Sequence, residues 1–245
     1  MRFHRTQQLL LTGIFLLVPG IETTLASEHE QAKTRDPTPG ETWIDRLERP
    51  DRLPGLRIDD VVASLELKPG DVVADIGAGT GAFSIPFAKA VAPSGVVLAQ
   101  DIWPALLDYI EKKAEKEQLN NLQTALGKGD DPNLPQDHID VVFFHDVFHN
   151  VLDRQGYLEI LAASVKPGGR IAIVEQEFDD PIAKRWDVPE DRITREQLAE
   201  WMSGIGFELI DSFDIFQGKN NPEGAGMPER WFVVYGRRVQ AMSER

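Results

Sequence analysis

The chain has 245 residues, 42% hydrophobic and 27% charged, enough for one α/β domain with a sizeable core and a short extension. Its 40 acidic against 26 basic side chains leave a formal net charge of -14, which repels phosphate backbones and disfavours nucleic-acid or anionic-membrane substrates in the absence of a basic patch. There is no cysteine, which excludes disulfides, thiolate zinc sites, cysteine nucleophiles and lipoprotein attachment, and leaves a small or neutral substrate as the expectation.

Residues 1–26 read as a secretory signal peptide: Arg2 and Arg5 precede an apolar run from Leu9 to Val18, and Thr24-Leu25-Ala26 offers small residues for cleavage before Ser27. The run is short for a membrane span. A periplasmic or secreted protein without stable membrane insertion is therefore expected, with an uncleaved membrane anchor as the alternative. Residues 27–42 are polar and read as a linker. Residues 43–57 alternate apolar side chains with Arg46, Arg49, Arg52 and Arg57, broken by Pro50 and Pro54, as a capping segment or a lid would. The domain proper is expected over 58–239, with 240–245 as a tail, and it opens with a short helix over 59–65.

Val72, Val73 and Ala74 suit a strand buried on both faces, and Gly77, Gly79 and Gly81 suit a sharp turn before a helix expected near Thr80. Gly77-x-Gly79-x-x-Ala82 also satisfies the dinucleotide fingerprint. Asp75 separates the two readings. A carboxylate there would face the pyrophosphate of a dinucleotide and repel it, whereas the ammonium of S-adenosylmethionine would be attracted. The run Asp75-Ile76-Gly77-Ala78-Gly79-Thr80-Gly81 resembles motif I of the class I S-adenosylmethionine-dependent methyltransferases.

The rest of the chain extends the resemblance over about residues 43–238. A second strand over 96–99 delivers Gln100 and Asp101 to its carboxyl end, where an acidic residue about 20 beyond the glycines meets ribose hydroxyls; Asp101 and Ile102 are the candidates, and helix capping is the alternative for Asp101. An amphipathic helix over 103–118 and a strand over 124–126 follow. By the resemblance, an acidic residue after that strand accepts the adenine amino group. Asp130 is the first choice and Asp131 the second, with turn formation open for either. The fourth strand, 139–144, leads to His145-Asp146-Val147-Phe148-His149-Asn150, where the transferred methyl should lie. His149, Asp146 and His145 are the candidates for proton transfer, and capping or pocket lining is the alternative for each.

Asp153 is expected to cap a helix ended by Lys166-Pro167-Gly168-Gly169, ahead of a fifth strand over 170–174. Thr194 and Gln197 form a capping box for a helix over 195–203, and strands over 207–215 and 231–235 make a terminal hairpin. The order of these segments is similar to a bacterial subgroup of these enzymes, some with export signals. It departs from that subgroup at Phe148, Asn150 and 55–58, on the substrate side. The absence of cysteine argues against the arsenite-methylating relatives.

The resemblance implies a doubly wound, seven-stranded Rossmann-like sheet with a C-terminal antiparallel β-hairpin, the class I methyltransferase fold. It further implies S-adenosyl-L-methionine as methyl donor, bound by Asp75, Gly77, Gly79, Gly81, Asp101, Ile102 and Asp130 or Asp131, and a small-molecule acceptor. A cofactor-binding module without transfer activity is the rival, and a nicotinamide-dependent oxidoreductase is disfavoured by Asp75.

Overall fold

Short apolar runs rich in Val, Ile and Phe make the strands of a single sheet in the computed structural model, which describes residues 40–177, 193–217 and 229–238. The strands are β1 (Val72–Ile76), β2 (Val96–Asp101), β3 (Leu122–Leu126), β4 (Ile139–His145), β5 (Val165–Gln176), β6 (Phe207–Phe213) and β7 (Arg230–Arg237). They lie in the order β3-β2-β1-β4-β5-β7-β6. Contacts among β1 to β5 are parallel, and β7 runs antiparallel between β5 and β6. The expected fold, terminal hairpin included, is thus the one observed. The signal-peptide, tail and most of the linker readings fall outside the described residues, as does the segment joining the hairpin strands.

The helices are α1 (Gly40–Leu47), α2 (Ile58–Ser64), α3 (Ser84–Val91), α4 (Pro104–Glu117), α5 (Arg154–Ser164) and α6 (Arg195–Gly204). Alternation along the strands sends Val73, Val97, Phe143, Val174 and Phe232 to one face, where Val61 of α2 and Phe87 and Val91 of α3 cover them. Ala74, Val142, Phe144, Ile173 and Trp231 point to the other face, against Leu158 and Leu161 of α5 and Leu198 and Met202 of α6. Helices on both faces make the sheet doubly wound, and its chain direction switches between β1 and β4, the place where such sheets bind ligands.

Several expected boundaries move for local reasons. α3 begins at Ser84, beyond Thr80 and one residue after Phe83, where the sequence lets a helix over 83–91 start, because the glycine turn runs on to Phe83. β3 starts two residues earlier than expected; as an edge strand it is only partly buried, which weakens its apolar signature. β5 starts at Val165, which pairs with Ile139, and pairing resumes at Arg170 with Val141, so Lys166 to Gly169 bulge out of the ladder instead of preceding the strand. Both expected caps are present: Asp153 accepts from the Gly156 N–H, and Thr194 and Gln197 bond reciprocally. α1 begins at Gly40, so the linker gives way to helix before residue 43.

Candidate active site

The turn after β1 passes through Gly77, Gly79 and Gly81 at φ of 64°, 57° and 76°, a region costly for residues with a Cβ. Its backbone donors are taken within the protein. Gly77 N–H donates to Gln100 Oε1 (3.3 Å), Ala78 N–H to the Gln100 carbonyl (2.9 Å), Gly79 N–H to Asp101 Oδ2 (3.0 Å) and Gly81 N–H to the Ala78 carbonyl (2.9 Å). A pyrophosphate is held by such N–H groups, and here β2 has already claimed those of Gly77, Ala78 and Gly79. The glycines also admit protein neighbours: a Cβ on Gly77 would stand 2.3 Å from Val147 Cγ2, and one on Gly79 2.9 Å from Leu47 Cδ1. The room that the sequence suggested for a ligand is therefore partly taken by Val147, from the loop after β4, and by Leu47 of α1.

The N-terminal segment is fastened to this turn. Lys113 Nζ donates to Glu48 Oε1 and to the Thr80 carbonyl, 3.1 Å each. Arg49 pairs with Asp51 on the surface, and Arg57 Nε donates to Asp60 Oδ2 at 2.6 Å. Arg52 is half-buried, donates to the Leu47 carbonyl at 3.2 Å, and is lowered in pKa by burial and by Arg230, against the pull of Asp146 and Glu48. Of the four arginines it is the one that lies among the charges of the site.

Two buried carboxyl groups flank the glycine turn. Asp75 accepts from Ser84 Oγ at 2.5 Å, and burial pushes it up to about 7, with a further push from Asp101 against the Ser84 bond. Ser84 holds it beneath the turn, on the α3 side, so the expected contact with an ammonium is indirect. Asp101 accepts from Gly79 N–H and, through Oδ1, from Trp103 N–H (3.0 Å). Burial raises it to about 6, against the backbone N–H groups of Gly79, Trp103 and Ile102. Asp101 thus supports both the turn and the entry to α4. Ile102 is half-buried beside it.

Asp130 is exposed, whereas Asp131 is half-buried and accepts from Asn133 N–H at 2.8 Å. Buried Tyr157 is raised above the usual phenol range by burial, and further by the charges of Asp131 and Asp101. The structure thus half-buries Asp131 and leaves Asp130 at the surface.

The three side chains after β4 have different environments. His145 is buried between Phe83 and Phe216, its ring centroid 4.8 Å and 5.9 Å from theirs, and burial lowers it to about 3. Its Nε2 has no partner among the described residues. Asp146 sits at φ 53° and receives Arg230 Nε at 2.8 Å and Nη2 at 2.7 Å, bonds that hold it below the usual carboxylate range in spite of burial. The enclosure of the His145 imidazole and the arginine clamp on the Asp146 carboxylate favour the pocket-lining and structural alternatives for these two residues. His149 differs: Nδ1 lies 2.8 Å from Glu175 Oε1, and Nε2 lies 3.2 Å from Asn150 Nδ2. Sequence reasoning missed Glu175, Arg230 and Val147, and placed Gln100 at its strand end without a role. The available signal was polar residues at the carboxyl ends of apolar strands, Gln100 on β2 and Glu175 on β5.

Residues 74–171 match the family model described as "Methyltransferase domain". This stretch is similar to methyltransferase domains. A crystal structure of an S-adenosylmethionine-dependent methyltransferase from Aquifex aeolicus superposes on this domain and its flanking elements with a TM-score of 0.68 at 22% identity, covering 82% of this chain and 100% of that one. The shared fold is the class I methyltransferase sheet. The demethylmenaquinone methyltransferase of Lactobacillus johnsonii is 33% identical over 123 residues, which is 49% of this chain and 50% of that protein. The ubiquinone/menaquinone biosynthesis C-methyltransferase of Vibrio campbellii is 28% identical over 123 residues, 49% and 48% respectively. The chain therefore spans about half the length of the curated relatives it matches. The stretch matched by the family model holds the carboxyl ends of β1 to β4, whereas those of β5, β6 and β7 lie beyond it.

Proposed function

We propose that the protein transfers the methyl group of S-adenosylmethionine to a small, neutral acceptor. The observation that carries this reading is the chemistry of the β1 and β2 ends: the N–H groups of Gly77, Ala78 and Gly79 are occupied by Gln100 and Asp101, and two buried carboxyl groups, Asp75 and Asp101, stand beside the turn. Such a site rejects a pyrophosphate and favours a cation, and these donor groups fit a ligand bearing an ammonium and a sulfonium. Bound there, S-adenosylmethionine would supply a methyl group already activated on sulfur. Asp101 and Ile102 would serve the ribose, Asp131 or Asp130 the adenine amino group, and the turn over Gly77 to Gly81 the amino-acid end. His149, at the end of β4, would face the acceptor, and catalysis would rest largely on positioning and water exclusion.

The signal-like N-terminus supports a further proposal, export to the periplasm or beyond; mass spectrometry of the protein from its host should find Ser27 first. For the function, calorimetry with S-adenosylmethionine, S-adenosylhomocysteine and NAD is the test. Binding of the first two and not of NAD is expected, and NAD binding with silence from the others would overturn the reading.

A further inference from the structure

Glu175 occupies the carboxyl end of β5, is fully buried, and faces the turn that follows β4. Its Oε2 accepts from the His149 backbone N–H at 3.1 Å, and its Oε1 accepts from the Gln176 N–H at 3.0 Å while lying 2.8 Å from His149 Nδ1. The same turn is held from outside by Arg154 Nη2, which donates to the His149 carbonyl at 2.8 Å. Both the backbone and the ring of His149 are thus fixed by one carboxyl group. The loop is also fixed relative to the glycine turn, because Val147, two residues earlier, fills the space above Gly77.

This arrangement specifies a tautomer. A carboxylate is an acceptor, so Nδ1 facing Oε1 carries the ring hydrogen. The amide nitrogen of Asn150, a donor, faces Nε2 at 3.2 Å and so meets a lone pair. Two contacts on opposite edges of the ring agree on Nδ1–H with Nε2 unprotonated.

We propose that Glu175 is a positioning residue that holds His149 in this tautomer, and that the acceptor is consequently a group that loses a proton when methylated, a phenolic or enolic hydroxyl or an acidic carbon. The proposal rests on the methyl-transfer reading above and adds the acceptor class to it. Acceptors such as tertiary amines and thioethers have no proton to lose, and neutral amines attack before losing theirs, so neither calls for a tautomer-locked imidazole. For an acceptor O–H or C–H, the Asn150 amide gives up its contact with His149 Nε2, the proton passes to Nε2, and the electron pair of the O–H or C–H bond becomes the new bond to the methyl carbon. The pair of the broken methyl–sulfur bond stays on sulfur. The positive charge moves from sulfonium to imidazolium, where the Glu175 carboxylate stabilises it until water takes the proton. His145 and Asp146 do not compete for this role, one being enclosed between Phe83 and Phe216 and the other clamped by Arg230.

The decisive experiment is nitrogen NMR of the full chain labelled at its histidine rings, in alkaline buffer, with the His149 signals assigned by their loss in His149→Gln. The wild-type protein should show His149 as Nδ1–H with Nε2 unprotonated. Glu175→Gln should lose that preference and Glu175→Asp should retain most of it. A purely structural Glu175 would change stability without moving the tautomer. Wild-type His149 in the Nε2–H form, or a tautomer indifferent to Glu175→Gln, would overturn the proposal. Methyl-labelled S-adenosylmethionine with a cell extract supplies the second readout. Label should appear in methyl ethers or C-methyl groups and fall roughly tenfold to a hundredfold in Glu175→Gln, with S-adenosylhomocysteine affinity within about threefold of wild type. Label in N-methyl or S-methyl products would overturn the acceptor class. Failure of the wild type to bind S-adenosylhomocysteine would instead overturn the methyl-transfer reading, whatever tautomer the ring shows.

Discussion

Replacing Asp75 by Asn should make the free protein more stable and the ligand site worse. Asp75 is buried, and burial lifts it from the ordinary 3.8 to about 7. Between those two values the folded state keeps a proton that the unfolded chain has lost. The stabilisation of the folded state is therefore complete below pH 3.8 and is lost as pH rises through about 7. The span of about three pH units, at about 1.4 kcal/mol each, puts the penalty of the ionised group at roughly 4 kcal/mol above neutrality. Asn keeps an oxygen for the Ser84 hydroxyl, which donates to Asp75 Oδ2 at 2.5 Å, and carries no charge. Urea denaturation from pH 4 to pH 8.5 should find the two proteins similar in acid and Asp75→Asn more stable by up to roughly 4 kcal/mol in base. Binding of S-adenosylhomocysteine should weaken in the variant, because a charge beneath the turn has been removed, an exchange of stability for function familiar at ligand sites. A wild type at least as stable as Asp75→Asn at pH 8.5 would refute the reasoning.

Other expectations follow from single contacts. Gly77→Ala should destabilise by about 2 to 5 kcal/mol, from the left-handed backbone and from a Cβ 2.3 Å from Val147 Cγ2. Adding Val147→Ala should recover about 1 to 3 kcal/mol of it in a double-mutant cycle by denaturation, whereas additive losses would deny the contact. Asp146→Asn should cost about 3 to 5 kcal/mol, since buried Arg230 loses the carboxylate it binds at 2.7 Å to 2.9 Å, with S-adenosylhomocysteine affinity in the folded variant nearly unchanged. Binding of a cationic ligand at pH 6.5 should release on the order of one proton as Asp75 and Asp101 ionise, seen as a dependence of calorimetric enthalpy on the buffer, and the release should vanish at pH 9.

The parts of this molecule that could be read from sequence are those set by local chemistry. Val72 to Ala74 and Val141 to Phe144 announce buried strands by composition, Gly77, Gly79 and Gly81 announce a turn of unusual dihedrals, and Thr194 with Gln197 announces a helix start. Their positions then fix the order of the sheet, because short crossovers permit few topologies. What stayed hidden depends on partners far apart in the chain. Asp146 reads as a possible base until Arg230, 84 residues later, is seen to bind it. The same holds for His149 and Glu175, 26 residues apart on neighbouring strand ends. Nor does the sequence tell that Gln100 and Asp101 engage the N–H groups of Gly77, Ala78 and Gly79, in a motif shared with dinucleotide sites. β3 was shortened because an edge strand has too little burial to show a clean apolar pattern.

The central claim is that a methyl group leaves S-adenosylmethionine for a small molecule in the presence of this protein. Incubating the full chain with methyl-labelled S-adenosylmethionine and an extract of small molecules from the source cells, then separating the products, tests it directly. The account predicts label in a low-molecular-mass product that forms only with active protein, and S-adenosylhomocysteine in equal amount. Tight binding of S-adenosylhomocysteine with no labelled product from any extract would contradict transfer and leave a cofactor-binding module in its place.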